Sequence, residues 1–239
     1  MAFKALIFDV DGVVAETEAD GHRVAFNRVF EEEGLGVVWD HATYGELLKI
    51  AGGKERMRVV VDARDFKKEV GDKDEYIKKL HKRKTAVFQE LVGEGRLPGR
   101  PGVKRLIEEA HGRGIRLGVG STSNIDAVTT LLKSVLGEQV FGCFDVVLAG
   151  DVVKRKKPDP EIYNLNAERL GVSPAECCVV EDMVIGLQAA RASGMRCVIT
   201  RSYYSRNDDF SGADLVVDNL GEPPDNNMVT VDTISGLFR

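Results

Sequence analysis

The sequence has little that could staple, anchor or repeat a fold. Only four of its 239 residues are cysteine (Cys143, Cys177, Cys178 and Cys197), and none forms a Cys-x-x-Cys pair. That excludes a disulfide framework and a zinc knuckle, and predicts buried free thiols in a reducing compartment. No apolar run approaches the ~18 residues that a membrane helix needs. Residues 1–10 carry no basic stretch ahead of an apolar one, so no secretory signal is expected. Positive charge is not in excess either: 33 Lys+Arg stand against 38 Asp+Glu, a net charge of −5. This speaks against nucleic-acid and acidic-membrane partners. The four histidines, His22, His41, His81 and His111, show no metal-ligand spacing. Gly118-Val119-Gly120 lacks the third glycine of a dinucleotide fingerprint, having Ser123 in its place. Gly52-Gly53-Lys54-Glu55 is not a P-loop, because Glu55 stands where a hydroxyl residue is required. No internal repeat or low-complexity segment is present.

What remains is an ordinary globular composition, 43% apolar and 30% charged. The length suits one large domain, or a medium domain carrying an insert. Short apolar runs at 3–8, 115–120, 144–149, 177–180 and 197–199 read as buried strands. Helical patterns at 103–111, 125–136, 160–170 and 184–192 fill the gaps between the later ones. Strands alternating with helices of about ten residues predict βαβ units and a parallel sheet, with ligands bound beyond the carboxyl ends of the strands. The alternation breaks between residues 18 and 92, which read as helices at 20–34, 43–50, 55–65 and 73–91. Their Lys- and Glu-rich faces are expected to be solvated, and Trp39 is expected to pack among them. Pro98, Gly99, Pro101 and Gly102 mark the return to the sheet.

Several strand ends carry chemistry. Asp9-Val10-Asp11-Gly12 closes an apolar strand, and side chains two apart on an extended backbone point the same way. One carboxylate could attack phosphorus while the other protonates a departing alkoxide. The alternative is a solvated turn, since Asp72-Lys73-Asp74 has the same pattern in a helical stretch. Ser121-Thr122-Ser123-Asn124 follows a strand and opens a helix, where it could hold a phosphate, cap the helix, or do both. Pro158 and Pro160 stiffen the chain at Lys157, which could be fixed while Lys154, Arg155 and Lys156 are solvated. Glu181-Asp182 ends another strand, and with Asp9 these acids suit Mg²⁺, a cation of oxygen ligands. Gly52 to Arg56 is either a helix stop and restart or an anion site built on backbone N–H groups, Lys54 and Arg56.

Asp9-x-Asp11-Gly12, Ser121, Lys157-Pro158 and Glu181-Asp182-x-x-x-Gly186 together resemble the four motifs of the haloacid dehalogenase superfamily, in its order and across the whole chain. The resemblance implies a Rossmann-like parallel α/β core, residues 1–17 and 96–239, with a helical cap, residues 18–95, inserted after the first strand. The cap is similar in type to those of β-phosphoglucomutase and phosphoglycolate phosphatase. Its segments 15–18, 21–23, 26–27, 44–48, 52–57 and 80–85 resemble the xylulose-1,5-bisphosphate phosphatases that accompany Rubisco, and 44–57 most resembles the plant and algal plastid form. One departure is an extra residue in Glu18-Ala19-Asp20-Gly21-His22 relative to the bacterial pattern.

By that resemblance Asp9 is the nucleophile and Asp11 the general acid and base, since dehalogenases of the superfamily lack the second Asp. Ser121, Thr122 and Lys157 hold the phosphate. Mg²⁺ is bound by Asp9, the Asp11 carbonyl and Asp182, with Glu181 orienting them from outside. Glu18, Tyr44, Gly52, Gly53, Lys54, Glu55, Arg56 and Lys84 of the cap, with Ser123 and Asn124, contact the substrate. The expected partner is a sugar bisphosphate, with no nucleic acid and no membrane, and the chain is expected to be a monomer. Its expected place is the chloroplast stroma of a plant or alga, or otherwise the cytoplasm. The rival readings are a β-phosphoglucomutase-like mutase and a non-catalytic binding module on the same fold.

Overall fold

The structure is a computed structural model that describes residues 2–50, 52–63, 66 and 68–239. The chain divides into two compact units, Met1–Glu16 with Pro98–Arg239, and Thr17–Leu97. The first is built on a parallel sheet whose order is β3-β2-β1-β4-β5-β6. Its strands are β1 (Ala5–Phe8), β2 (Arg116–Ser121), β3 (Val146–Ala149), β4 (Cys177–Glu181), β5 (Arg196–Thr200) and β6 (Leu215–Val217). Every residue of β1 and β4 is buried, as expected of strands covered on both faces. From β1 the chain builds outward through β2 to β3, then returns to the other side of β1 for β4. The reversal lies between β1 and β4, where α/β sheets open a crevice at their carboxyl edge.

The alternating helices are α5 (Val103–Gly112), α6 (Ile125–Leu136), the short α7 (Glu138–Phe141), α8 (Glu161–Leu170), α9 (Val184–Ala192) and α10 (Val231–Gly236). The Gly118-Val119-Gly120 pattern serves packing. A Cβ at Gly118 would lie 2.6 Å from the Asn166 amide oxygen, and one at Gly120 would lie 3.1 Å from the Tyr163 ring, so bare glycines let α8 approach β2. All four cysteines are free; Cys177, Cys178 and Cys197 are buried and Cys143 is half-buried.

In the second unit a π-helical turn, Thr17–His22, leads into α1 (Arg23–Glu32), followed by α2 (His41–Leu47), α3 (Gly53–Val61) and α4 (Lys73–Gly93). Phe26, Val29 and Phe30 of α1 and Ile77, Leu80, Val87 and Phe88 of α4 form the apolar interior. Trp39 is 3% exposed and packs on Phe26 and Phe30, with ring centroids 4.9 and 4.7 Å away. The charged faces are solvated as their composition implied, and pairs such as Arg83 with Glu32 and Glu90 are exposed ones of small energetic weight.

Boundaries shift where caps decide them. α2 starts two residues before the expected 43, because the Asp40 carboxylate accepts the Thr43 N–H at 2.7 Å. Asp72 caps α4 by accepting from the N–H groups of Asp74 and Glu75, so the second Asp-x-Asp is a helix cap. α3 begins at Gly53 rather than 55 and ends at Val61; the rest of the expected helix includes Arg64 and Asp65, which lie outside the described residues. The strand expected at 144–149 begins only at Val146, and Asp145 instead accepts the Leu117 N–H with its side chain.

Candidate active site

Asp9 continues β1 by donating its N–H to the Val180 carbonyl at 2.9 Å, which holds it level with the end of β4. The register pairs Phe8 with Val180, so Glu181 and Asp182 stand beside Asp9 across the reversal of strand order. Asp9, Glu181 and Asp182 are all buried, and they present carboxylate oxygens within 4.8 Å of one another. Lys157 reaches into this group with its side chain 5% exposed, and donates to Asp9 Oδ1 and Glu181 Oε1 at 2.6 Å each. Lys154, Arg155 and Lys156 beside it are exposed.

Tyr163 of α8 escaped the reading of the sequence. It is fully buried and donates its hydroxyl to Glu181 Oε1, while its ring lies 5.0 Å from the Lys157 ammonium. Two motif glycines make room for the acids. A Cβ at Gly186 would strike the Glu181 carboxyl, and one at Gly12, whose φ is +76°, would strike that of Asp182.

One lysine does not balance three buried carboxylates. Burial pushes Asp9 up to about 8, helped by Glu181 and Asp11 and opposed by Lys157. Burial also raises Asp182 well above the usual carboxylate range, with Glu181 and Asp9 adding to it. Burial alone would lower Lys157, but Asp9 and Glu181 outweigh it and hold the ammonium charged. Asp182 Oδ1 is buried with no hydrogen-bond partner among the described residues. A divalent cation of oxygen preference answers both observations, because it supplies the missing charge and a partner for that oxygen. The residues present therefore fit Mg²⁺.

At the neighbouring strand end, Ser121 is the buried last residue of β2, and its hydroxyl accepts the Ser123 N–H at 3.1 Å. Asn124, not Ser123, caps α6, accepting from the N–H groups of Asp126 and Ala127. The Ser123 hydroxyl donates instead to Asp11 Oδ2 at 2.6 Å. Thr122 and Asn124 are exposed and Asp11 is half-buried, so Asp11 is more open to solvent than the three buried acids. The first unit thus brings together Asp9, Lys157, Glu181 and Asp182, and separately joins Asp11 to Ser123.

The residues expected to contact substrate from the second unit form two groups there. In one, the Tyr44 hydroxyl donates to Glu18 Oε2 at 2.6 Å. Arg56 donates from Nη1 to the Tyr44 hydroxyl at 3.2 Å and from Nε to the Ile50 carbonyl at 3.0 Å, and lies 3.8 Å from Glu18. In the other, the Lys84 ammonium, almost wholly buried, meets His22 Nδ1 at 2.7 Å and lies 4.7 Å from the Phe26 ring centroid. Burial, Lys84, Arg56 and His81 hold His22 well below its ordinary pKa, so its ring is neutral and accepts from the ammonium.

The extra residue between Glu18 and His22 coincides with the π-helical turn, and one inserted residue is what a π-turn accommodates within a helix. Gly52 precedes α3 with φ +97°, and the Glu55 carboxylate folds back into the space a Cβ there would fill. Gly53 abuts His81, whose ring nitrogen would lie 2.8 Å from a Cβ. Lys54 is exposed.

Residues 3–194 match the haloacid dehalogenase-like hydrolase family. A CBBY-like protein of Arabidopsis thaliana is 48% identical over 225 residues, covering 92% of this chain and 70% of that protein. Protein CbbY of Cereibacter sphaeroides is 41% identical over 220 residues, covering 92% of this chain and 93% of its own length. The crystal structure of a mutant CbbY from Rhodobacter sphaeroides in complex with xylulose-(1,5)bisphosphate has a TM-score of 0.75 at 39% identity, covering 91% of this chain and 94% of that one. Among the described residues no helix is long and apolar enough to cross a membrane. The chain belongs to the haloacid dehalogenase-like hydrolases and is a phosphatase of that family.

Proposed function

We propose that this chain is a Mg²⁺-dependent sugar-bisphosphate phosphatase that removes the 1-phosphate of xylulose-1,5-bisphosphate. The observation that carries the chemistry is the buried group of Asp9, Glu181, Asp182 and Lys157, with one Asp182 oxygen unpartnered among the described residues. Support for the substrate comes from the likeness to CbbY, whose mutant was crystallised with that sugar. In a plant or alga the same reading assigns the chain to the chloroplast stroma.

Asp9 attacks phosphorus and becomes an aspartyl-phosphate, breaking the bond to the sugar oxygen. Asp11 protonates that oxygen as it leaves, then takes a proton from the water that hydrolyses the intermediate. Ser123 orients the Asp11 carboxyl by donating to Oδ2. Lys157 uses two N–H groups on Asp9 and Glu181, and its third, with Ser121 and Thr122, meets the phosphate oxygens. Asp9, Asp182 and the Asp11 carbonyl would hold Mg²⁺, with Glu181 positioned by Tyr163 and Lys157 behind them. When bound, the cation neutralises charge on the phosphoryl group.

Glu18 and Tyr44 are assigned to the sugar hydroxyls and Lys84 to the same substrate face, while the start of α3 from Gly52 to Arg56 is assigned to the second phosphate. Arg56 Nη2 enters none of the bonds to Ile50 or Tyr44 and can meet that phosphate. Arg56→Ala is expected to lower kcat/KM for the bisphosphate about 10- to 100-fold, the worth of a charge-assisted contact of roughly 1.5–3 kcal/mol. A monophosphate lacking that contact should change little. Both constants, with a melting curve of the variant, decide the point; an equal loss on the two substrates would remove the second-phosphate assignment. A wider panel of sugar mono- and bisphosphates, scored for released phosphate, tests the substrate class. Isomerised sugar phosphate without net release would mean a mutase, and no turnover on any member would mean a binding module.

A further inference from the structure

Among the described residues Arg100 is the most fully bonded cation with a buried side chain outside the acidic group, and nothing in the reaction described above uses it. Its side chain is 8% exposed, and it lies in the segment by which the chain returns to the first unit. Nη1 donates to the Gly12 carbonyl, to the Thr200 carbonyl at 3.1 Å and to the Thr200 hydroxyl at 3.0 Å. Nη2 donates to the carbonyls of Arg201 and Asp218, both at 2.6 Å, and Nε faces Glu16 at 3.3 Å. All three guanidinium nitrogens are therefore engaged, on three segments of the unit, 12–16, 200–201 and 218. The Arg100 N–H also bonds the Val14 carbonyl at 2.8 Å, and Glu16 accepts the Tyr203 N–H, which closes the network.

One of the segments it holds is the loop that carries Asp9 and Asp11. The Gly12 N–H is held by the Ala15 carbonyl at 2.9 Å. In a trans peptide the carbonyl points opposite to the N–H, so the Asp11 carbonyl is turned away from Ala15. Gly12 also lies so close to Asp182 that no side chain fits between them. Fixing Gly12 from behind thus fixes the relation of the Asp11 carbonyl to Asp182, two of the assigned cation donors. A lysine at 100 would keep the charge but could not span these acceptors, since its donors radiate from one nitrogen.

We infer that Arg100 is a positioning residue that sets the affinity of the acidic site for its divalent cation. The inference rests on the proposed function only in assigning a cation to that site. The test is direct binding of Mn²⁺ to the full chain, followed by electron paramagnetic resonance of the free ion, in wild type, Arg100→Met and Arg100→Lys. Residues that orient metal ligands typically change affinity ~10- to 100-fold when lost. A loss of that size is expected in Arg100→Met and a smaller one in Arg100→Lys, while KM for the sugar phosphate at saturating metal stays near the wild-type value.

Wild-type Mn²⁺ affinity in both folded variants would overturn the inference. So would failure of both variants to fold, which would make Arg100 a general stability element. A parallel rise in KM would assign it to substrate binding instead and also overturn it. Wild-type protein that binds no Mn²⁺ at all would refute the cation site itself, an outcome distinguishable from the others.

Discussion

Asp9→Asn is expected to leave the fold intact and to lower phosphate release at least ~10³-fold, because an amide cannot serve as the attacking nucleophile. The substitution is isosteric, and Asp9 is 8% exposed between β2 and β4, so packing does not change. Burial is the largest influence on this carboxyl and works against its charged form. A neutral amide escapes that cost, although it gives up the charge of the contact with Lys157. The two effects oppose each other, so the melting temperature should stay close to that of the wild type. The useful signature is their combination, a folded protein without turnover. A folded variant with more than a tenth of wild-type activity would remove Asp9 from the chemistry, and a collapsed melting temperature would make the kinetic result uninformative about the nucleophile. Circular dichroism and a phosphate assay on the same preparation separate these outcomes.

Asp11→Asn carries the second large effect. Asp11 is assigned to both half-reactions, and general acid–base help is typically ~10²- to 10⁴-fold in a step. Formation of the phosphoenzyme and its breakdown should therefore both slow by factors in that range. The two acids sit in different environments. Asp9 is buried among other carboxylates and Lys157, while Asp11 is half-buried and accepts from the Ser123 hydroxyl. The first environment suits an immobile nucleophile and the second a group that must exchange protons with water. Rapid-quench single turnover of the variant measures both steps. Slowing of formation alone would limit Asp11 to the acid step, and unchanged rates in both would exclude it.

How far these assignments were legible in the sequence depended on the range of the contacts involved. The alternation of apolar strands and helices is local, and β1, β2, β4 and β5 with α6 and α9 lie where that pattern placed them. β6 escaped because it has three half-buried residues at a sheet edge, too short for any periodic signal. The motif acids were visible because each ends a strand, where an apolar run stops abruptly at a charge. The glycines at 12 and 186 were visible as pattern, but their reason is the carboxylates of Asp182 and Glu181 lying against them. The one-residue insertion at 18–22 was visible as an irregularity, whereas its structural form, a π-turn, was not. Tyr163 and Arg100 escaped for a different reason. Arg100 meets Gly12 across 88 residues and Asp218 across 118, and a lone arginine in a Pro-Gly segment gives no local sign of such partners.

Hydrolysis of xylulose-1,5-bisphosphate followed by phosphorus NMR, with Mg²⁺ and then with excess chelator, tests the central claim most directly. With Mg²⁺ the account predicts loss of the 1-phosphate resonance, one equivalent of inorganic phosphate and an intact 5-phosphate; with chelator it predicts an unchanged spectrum. Release that proceeds equally in chelator, loss of the 5-phosphate first, or migration of phosphate without release would contradict it.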